Sequence, residues 1–358
     1  MKVLQVIDSL RPGGAENMAV NLANLLVNHV EGSYLCCTRE SGVLEERLNP
    51  DVIYLCLNKR NSLDVKALLR FSDFIRKNNI DIVHAHSTSY FFSCLAKFLN
   101  PGLKIVWHDH YGESENVSKR REPILKLLSR YFAGILVVNG TLEKWVRNNF
   151  YVANIKQLKN FVQLYSDENH SSNFEFLGNG ESFKIICVAN LRPQKNHLVL
   201  LKAFEKLQQK NISLHLFGDN PDTIYSRKVL RAIENSRKSD RIFFYGVQQN
   251  ITSILPKAQI GVLPSRSEGL PLVLLEYSLA GLPIICTRVG QNEEVVGDFG
   301  KVVEPNNSEL LAEAIVDYLD NIEKRRQDSS KLKTKIEKEY NPSVIRKDLL
   351  KFYNLILD

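Results

Sequence analysis

The chain has 358 residues, a formal net charge of +7, 44% hydrophobic and 24% charged residues. It is too long for a single core and ordinary in apolar content, so two globular domains are expected, and no apolar run approaches the roughly 20 residues that span a bilayer. Residues 1–165 hold 21 Lys and Arg against 15 Asp and Glu, which places nearly all of the excess charge in the N-terminal half. Such a face suits an anionic membrane or substrate; nucleic acid is disfavoured because basic residues are not interleaved with aromatics at nucleic-acid-module spacing.

The chain opens directly on strand-like VLQVI, so no signal peptide is expected. Residues 2–8 form a strand, 9–14 a turn with Gly13 and Gly14, and 15–27 a helix with apolar spacing at Met18, Leu22, Leu25 and Leu26. Strand, glycine turn and helix open a doubly wound sheet, whose ligands sit at strand C-termini. Strands follow at 33–38, 52–57, 81–85, 104–107 and 135–138. Helices alternate with them at 63–78, 90–99, 122–132 and 141–149, the last capped by Thr141. This alternation predicts a mainly parallel, two-sided sheet.

Residues 163–182 are rich in Ser, Asn and Gly and read as a linker, taken as 166–182. The pattern then restarts. Strands are expected at 183–189, 213–218, 242–245, 260–263 and 283–286. Helices are expected at 196–210, 224–236, 251–257, from Pro271 to a stop at Gly281, at 309–319, 331–338 and 343–357. The predicted class is α/β, with domains at 1–165 and 183–340 and a terminal helix in 341–358. Cys36, Cys37, Cys56, Cys94, Cys187 and Cys286 are scattered with no CxxC, as expected of reduced core residues in a cytosolic protein.

Residues 263–290, LPSRSEGLPLVLLEYSLAGLPIICTRVG, carry the expected chemistry. A helix start offers backbone N–H groups and a positive dipole end to a phosphate. Gly269 permits close backbone approach. Glu276 sits eight residues after Glu268, and its Cβ tilts back toward the helix start, where a carboxylate can accept two hydroxyl hydrogen bonds. A capping carboxylate plus a solvated helix Glu is the plain structural alternative. In ANLRPQKN, cations just past a strand end suit an anionic ligand. RPGGAE lacks the G-x-G-x-x-G spacing, which argues against a nicotinamide dehydrogenase. His84-Ala85-His86 and His108-Asp109-His110 look like metal pairs, but neither has a third ligand by spacing and no Asp-x-Asp occurs, so no metal is expected. Lys119, Arg120, Arg121, Lys126 and Arg130 accompany Ile124, Leu125, Leu127 and Leu128; this segment suits an anionic membrane or is a helix with a solvated basic face.

SEGLPLVLLEYSLAGLPI resembles the E-x7-E signature of retaining, nucleotide-sugar-dependent glycosyltransferases of family 4, which have the GT-B fold of two Rossmann-like domains facing across a cleft. RPGGAENMAVNLANLL, DIVHAHS, VWHDHYG, VANLRPQKNHLVLLKAF, LHLFGDNPD and FFYGVQQNITSILPKAQIGVLPS agree in order and place. The resemblance implies a C-terminal domain that binds the nucleotide sugar, an N-terminal domain that presents the acceptor, and a last helix that crosses back to the first domain. It implies that Glu268 meets the donor sugar and Glu276 the ribose, with Gly269, Leu270 and Pro271 on the donor and Gly13 and Gly14 near the diphosphate. Lys195 and Arg192 face the diphosphate, although Asn190 holds the position where the family usually has Arg. A His after the fifth strand meets the donor sugar, with His110 aligning better than His108; His86 is expected on the acceptor side. The implied reaction is same-face transfer from a nucleotide sugar, UDP being the commoner base, to a glycan or lipid-linked acceptor in surface polysaccharide synthesis. It takes place in the cytoplasm or at the inner face of the membrane, with no metal or other cofactor. A sugar-nucleotide 2-epimerase and a non-catalytic nucleotide-sugar-binding protein are the alternatives.

Overall fold

The computed structural model describes residues 1–112, 117, 120, 122–162, 174–248 and 251–358. The chain divides into two compact units, Met1–Gln163 with Tyr340–Asp358, and Leu164–Glu339.

The first unit begins with β1 (Lys2–Ser9), α1 (Gly14–Leu26), β2 (Gly32–Glu40), β3 (Ile53–Cys56), α2 (Val65–Asn78) and β4 (Ile82–His86). It continues with α3 (Tyr90–Leu99), β5 (Lys104–Asp109), α4 (Pro123–Leu128), β6 (Phe132–Val137), α5 (Gly140–Asn149) and β7 (Ile155–Gln157). Among the described residues its sheet has seven parallel strands in the order β3-β2-β1-β4-β5-β6-β7. β1 and β4 are buried on both faces, as parallel strands under helices must be.

The second unit comprises β8 (Phe183–Val188), α6 (His197–Lys206), β9 (Ile212–Phe217), α7 (Ile224–Glu234), β10 (Ile242–Phe244), α8 (Ile251–Ile254) and β11 (Ile260–Leu263). α9 (Leu272–Leu279), β12 (Ile284–Thr287), α10 (Asn292–Val296), β13 (Lys301–Val303), α11 (Ser308–Asp320) and α12 (Ile322–Glu339) complete it. Its sheet runs β10-β9-β8-β11-β12-β13, again all parallel.

α13 (Pro342–Leu357) belongs to the first unit. Asn341 caps it, accepting from Ser343 N at 2.8 Å, and Pro342 opens it. Ile345, Leu349, Phe352, Tyr353 and Ile356 are buried there, each worth about 1.5–3 kcal/mol of apolar burial. Gly134 of β6 admits this helix: a Cβ there would stand 2.6 Å from the Phe352 ring.

Several boundaries differ from the sequence reading. The 122–132 helix stops at Leu128, and Phe132 instead pairs with Ile105 in the sheet and stacks on Trp107. α5 is capped by Asn139, which accepts from Leu142 N at 2.8 Å, and not by Thr141. β7 and β13 are additional strands, IKQ and KVV, each with a Lys and only half-buried residues. α12 starts nine residues earlier than expected because its first half is polar and buries nothing; its buried residues are Leu332 and Ile336. Residues 163–173 of the expected linker lie outside the described residues. Its end is anchored: Phe174 packs on Phe217 and Tyr245, Phe176 on His215, and Leu177 N donates to Tyr245 Oη at 2.9 Å. All six cysteines are free, five buried and Cys56 half-buried. Among the described residues, no helix is long and apolar enough to cross a membrane.

Candidate functional site

In each sheet the strand order reverses once, between β1 and β4 and between β8 and β11. At such a switch point the two flanking loops diverge and leave a crevice at the strand C-termini.

In the second unit the loops after β8 and β11 meet there. The loop after β8 carries Asn190, Arg192 and Lys195. Asn190 Oδ1 accepts from Asp219 N at 2.9 Å, so this side chain holds the neighbouring loop. Arg192 is exposed and has no side-chain partner among the described residues. Pro193–Lys195 is a 3-10 turn that ends at Asn196 with φ +53°. Lys195 Nζ lies 2.5 Å from Glu268 Oε1, and Ser265 Oγ donates to the same oxygen at 2.6 Å. Arg266 N donates to Gln194 O at 2.7 Å, which ties the two loops at backbone level.

Glu268 is buried because the next loop closes behind it. Thr287 Oγ1 donates to Ser265 O at 2.6 Å, and Gln291 N to Gly269 O at 2.9 Å. Gly290 has φ +52°, and a Cβ there would stand 2.2 Å from Glu268 O. Gly269, Leu270 and Pro271 are buried. α9 begins at Leu272, with Pro271 as its cap (φ −75°, ψ 121°) rather than its first residue. Gly281 (φ +75°) lies just past its end, in the left-handed region where glycine is favoured. Glu276 is half-buried in the second turn of α9.

In the first unit, Gly13 caps α1 in extended conformation, and its carbonyl accepts from Asn17 N at 3.0 Å and Asn17 Nδ2 at 2.8 Å. A Cβ on Gly13 would meet the Glu16 carboxylate, whereas one on Gly14 meets nothing within 4 Å. Beside them Asp8 accepts from Thr38 and from Thr88 (2.6 Å) and pairs with Lys59 at 3.1 Å. Burial raises the Asp8 pKa, but the two hydroxyls and the Lys59 charge outweigh it and hold Asp8 below its usual value.

The end of β4 and the residues around the end of β5 bring four histidines together. One ring nitrogen from each of His84, His86 and His108 lies within 4.8 Å of the others, a three-histidine grouping that neither His-x-His spacing announces. Five of the six ring nitrogens of these three are engaged: His84 Nδ1 with Tyr353 Oη (2.6 Å), His84 Nε2 with His108 Nδ1 (3.1 Å), His86 Nδ1 with His110 Nε2 (2.9 Å) and His86 Nε2 with Gln5 Oε1 (2.9 Å); His108 Nε2 has no partner among the described residues. Burial, reinforced by neighbouring imidazoles, pushes the His84 pKa down to about 3 and those of His86 and His108 well below normal; burial alone takes His110 to about 3. His86 was expected on the acceptor side. It is fully buried with both nitrogens taken, so it meets no ligand directly. His108 is also fully buried, and His110 is the half-buried member.

The basic segment needs a correction as well. Arg120 is not a membrane-facing cation: it donates to buried Asp109 at 2.6 Å and lies over the rings of Tyr111 and Trp145 at 4.3 and 4.5 Å. Burial leaves the Asp109 pKa raised despite that partner. Lys119 and Arg121 lie outside the described residues. Lys126 and Arg130 are exposed, as are Ile124 (56%) and Leu127 (58%), while Leu125 is buried.

Sequence reasoning missed Gln5, Asp8, Ser265, Gly290 and Tyr353. Gln5 and Ser265 are ordinary residues in a strand and a loop, and Tyr353 belongs to a helix 269 residues from His84. None carries a local signal.

A family model described as Glycosyltransferase Family 4 matches residues 12–164, and one described as Glycosyl transferases group 1 matches residues 182–321. The chain is 26% identical over 302 residues to the N-acetyl-alpha-D-glucosaminyl L-malate synthase of Bacillus anthracis, covering 79% of this chain and 76% of that one. It is 25% identical over 338 residues to the Escherichia coli UDP-Gal:alpha-D-GlcNAc-diphosphoundecaprenol alpha-1,3-galactosyltransferase, covering 86% and 85%. The crystal structure of Anabaena HepE in complex with UDP and glucose superimposes with a TM-score of 0.81 at 18% identity, covering 99% of each chain.

Proposed function

Because this chain belongs to the group 1, family 4 glycosyltransferases, with their GT-B fold of two Rossmann-like domains, we propose that it transfers a sugar from a UDP-sugar to a lipid-linked glycan acceptor in surface polysaccharide synthesis. The observation that carries this reading is the Lys195–Glu268 pair at the switch point of the second sheet. It supports the reading by bringing a cation that suits a diphosphate next to a carboxylate that suits a sugar hydroxyl. The relatives support the substrate classes: one is named for UDP-galactose and a diphosphoundecaprenol acceptor, and HepE was solved with UDP and glucose.

In this reading the second unit holds the donor and the first presents the acceptor hydroxyl. The start of α9 faces the diphosphate with backbone N–H groups. Lys195 and Arg192 stabilise charge as the diphosphate leaves. Glu268 orients the sugar, Glu276 clamps the ribose, and His110 has the sugar-contacting role that the family resemblance implies. No side chain acts as a covalent nucleophile. The acceptor hydroxyl attacks the face that the diphosphate leaves, through an oxocarbenium-like state, and the leaving phosphate takes the hydroxyl proton. The anomeric configuration is retained and no metal is required.

The exposed Ile124 and Leu127, with Lys126 and Arg130 beside them, form an amphipathic surface suited to an anionic membrane. Phe98 and Tyr131, also exposed, pack edge to face with centroids 5.0 Å apart. We place the working enzyme at the inner face of the cytoplasmic membrane, where a lipid-linked acceptor is presented.

A thermal-shift screen of UDP- and GDP-sugars tests the donor, since a ligand of the folded state raises the melting temperature by mass action. The donor that binds is then assayed with lipid-linked acceptors in the presence of EDTA, and the product anomer is read by NMR. Stabilisation by GDP-sugars alone, an inverted product, or loss of transfer in EDTA would each overturn the corresponding part.

A further inference from the structure

The four histidines are linked to Gln5 of β1 and Tyr353 of α13 by a hydrogen-bond chain whose direction can be worked out. Gln5 Oε1 only accepts and Gln5 Nε2 only donates. His86 Nε2, 2.9 Å from Gln5 Oε1, therefore carries a proton. The neutral His86 ring then has its lone pair on Nδ1, so His110 Nε2, 2.9 Å away, must donate. On the other side Gln5 Nε2 donates to Tyr353 Oη at 3.5 Å, which leaves the tyrosine proton for His84 Nδ1 at 2.6 Å. His84 Nε2 then donates to His108 Nδ1 at 3.1 Å. The chain ends at His108 Nε2, a buried nitrogen with no partner. Every donor points the same way: His110 to His86 to Gln5 to Tyr353 to His84 to His108.

We infer that Gln5 and Tyr353 are positioning residues that fix His110 as its Nε2–H tautomer, so that its Nδ1 lone pair is left to accept a hydrogen bond from a substrate hydroxyl. His110 Nδ1 makes no hydrogen bond among the described residues, and His110 is the half-buried member of the cluster. The amide in the middle makes this a tautomer lock and not a proton wire, because an amide cannot pass a proton on without becoming an imidic acid. α13 contributes Tyr353, whose hydroxyl holds the Gln5 amide with its oxygen toward His86. The substrate role rests on the reading that His110 meets the donor sugar; the tautomer does not.

The test is long-range 1H–15N correlation NMR at pH 7.5 on the full chain with 15N-labelled histidine, with cluster signals assigned through single His→Gln variants. All four histidines should be neutral and Nε2-protonated. An Nδ1-protonated or charged His110 in the wild type overturns the lock. So does a stoichiometric transition metal lost in His108→Gln, because a metal needs lone pairs on nitrogens that the chain protonates. Gln5→Met removes the acceptor while keeping the volume; His86 and His110 should then show mixed tautomers, and kcat/KM for UDP-sugar should fall about threefold to tenfold, the value of one hydrogen bond. Gln5→Glu keeps the acceptor toward His86 and should retain the Nε2–H pattern at His86 and His110, and with it the rate; its second oxygen replaces the donor to Tyr353, so His84 and His108 are not part of that comparison. Wild-type tautomers in Gln5→Met overturn the lock. Altered tautomers with unchanged kcat/KM overturn the positioning role. A wild-type chain with the Nε2–H pattern but no transfer from any nucleotide sugar overturns the functional reading and leaves the lock standing.

Discussion

Lys195 Nζ stands 2.5 Å from Glu268 Oε1, joining two loops whose residues are 73 apart in sequence. Glu268 also takes the Ser265 hydroxyl on that oxygen, so one carboxylate oxygen is held by two donors. Lys195→Ala should lower kcat about 100- to 1000-fold, the scale for removing a donor aimed at developing charge. Glu268→Gln should lower it comparably. The double variant should lose less than the product of the single losses, because the residues are in contact. Arg192→Ala should cost less than Lys195→Ala, since Arg192 is exposed and held by no partner among the described residues. UDP release measured for the four variants checks this; near wild-type rates in both Lys195→Ala and Glu268→Gln would remove the site.

Two glycines should separate structure from ligand approach. Gly290→Ala forces a left-handed conformation that costs about 1–2 kcal/mol, and its Cβ would press on Glu268 O at 2.2 Å. Melting temperature and transfer should fall together. Gly14→Ala meets no atom within 4 Å and sits in the first turn of α1, where alanine is favoured by up to about 1 kcal/mol. Its melting temperature should hold or rise while transfer falls. Full activity in Gly14→Ala would show that no ligand approaches that backbone.

Arg120 should behave as a core residue. Arg120→Gln leaves Asp109 buried without its cation, and the loss should be about 3–5 kcal/mol in urea unfolding. Asp109→Asn in the same chain should recover part of it. A change under about 0.5 kcal/mol for Arg120→Gln would contradict the buried pair.

Membrane binding should depend on the exposed pairs. Ile124→Ser with Leu127→Ser, or Lys126→Gln with Arg130→Gln, should each reduce cosedimentation with vesicles containing anionic lipid, and the charge variant should matter less at high salt. Cosedimentation equal to wild type in both would exclude this surface.

Stability should fall as pH drops below about 6.5. His84, His110 and His215 are held near 3 and His197 near 4, chiefly by burial. Between about 6.5 and those values the unfolded chain binds protons that the folded chain refuses, so stability declines on acidification. Each group contributes on the order of 1–2 kcal/mol by pH 5. Asp109, raised by burial, opposes this only toward the carboxylate range. Urea midpoints at pH 7.5, 6.5 and 5.5 should decrease in that order; a constant midpoint would show that the cluster is hydrated or charged.

The strand–helix alternation, the Gly and Pro boundaries of α9 and the Glu268–Glu276 spacing were legible in the residues themselves, because backbone preference and apolar period act over a few neighbours. The short edge strands β7 and β13 were not, since IKQ and KVV each carry a Lys and only half-buried residues, and their pairing partners supply the structure. The same limit applies to the sites. The sequence marked Lys195 and Glu268 as separate motifs, and the switch point between β8 and β11 brought them into contact. It marked Arg120 as a surface cation, which Asp109 and three aromatic rings made a buried one. It showed two His-x-His pairs; only the parallel register of β4 with β5, and a helix returning from the chain's end, could stack them on Gln5 and Tyr353. Local chemistry is written in the order of the residues, whereas burial and partnership depend on which distant strands lie side by side.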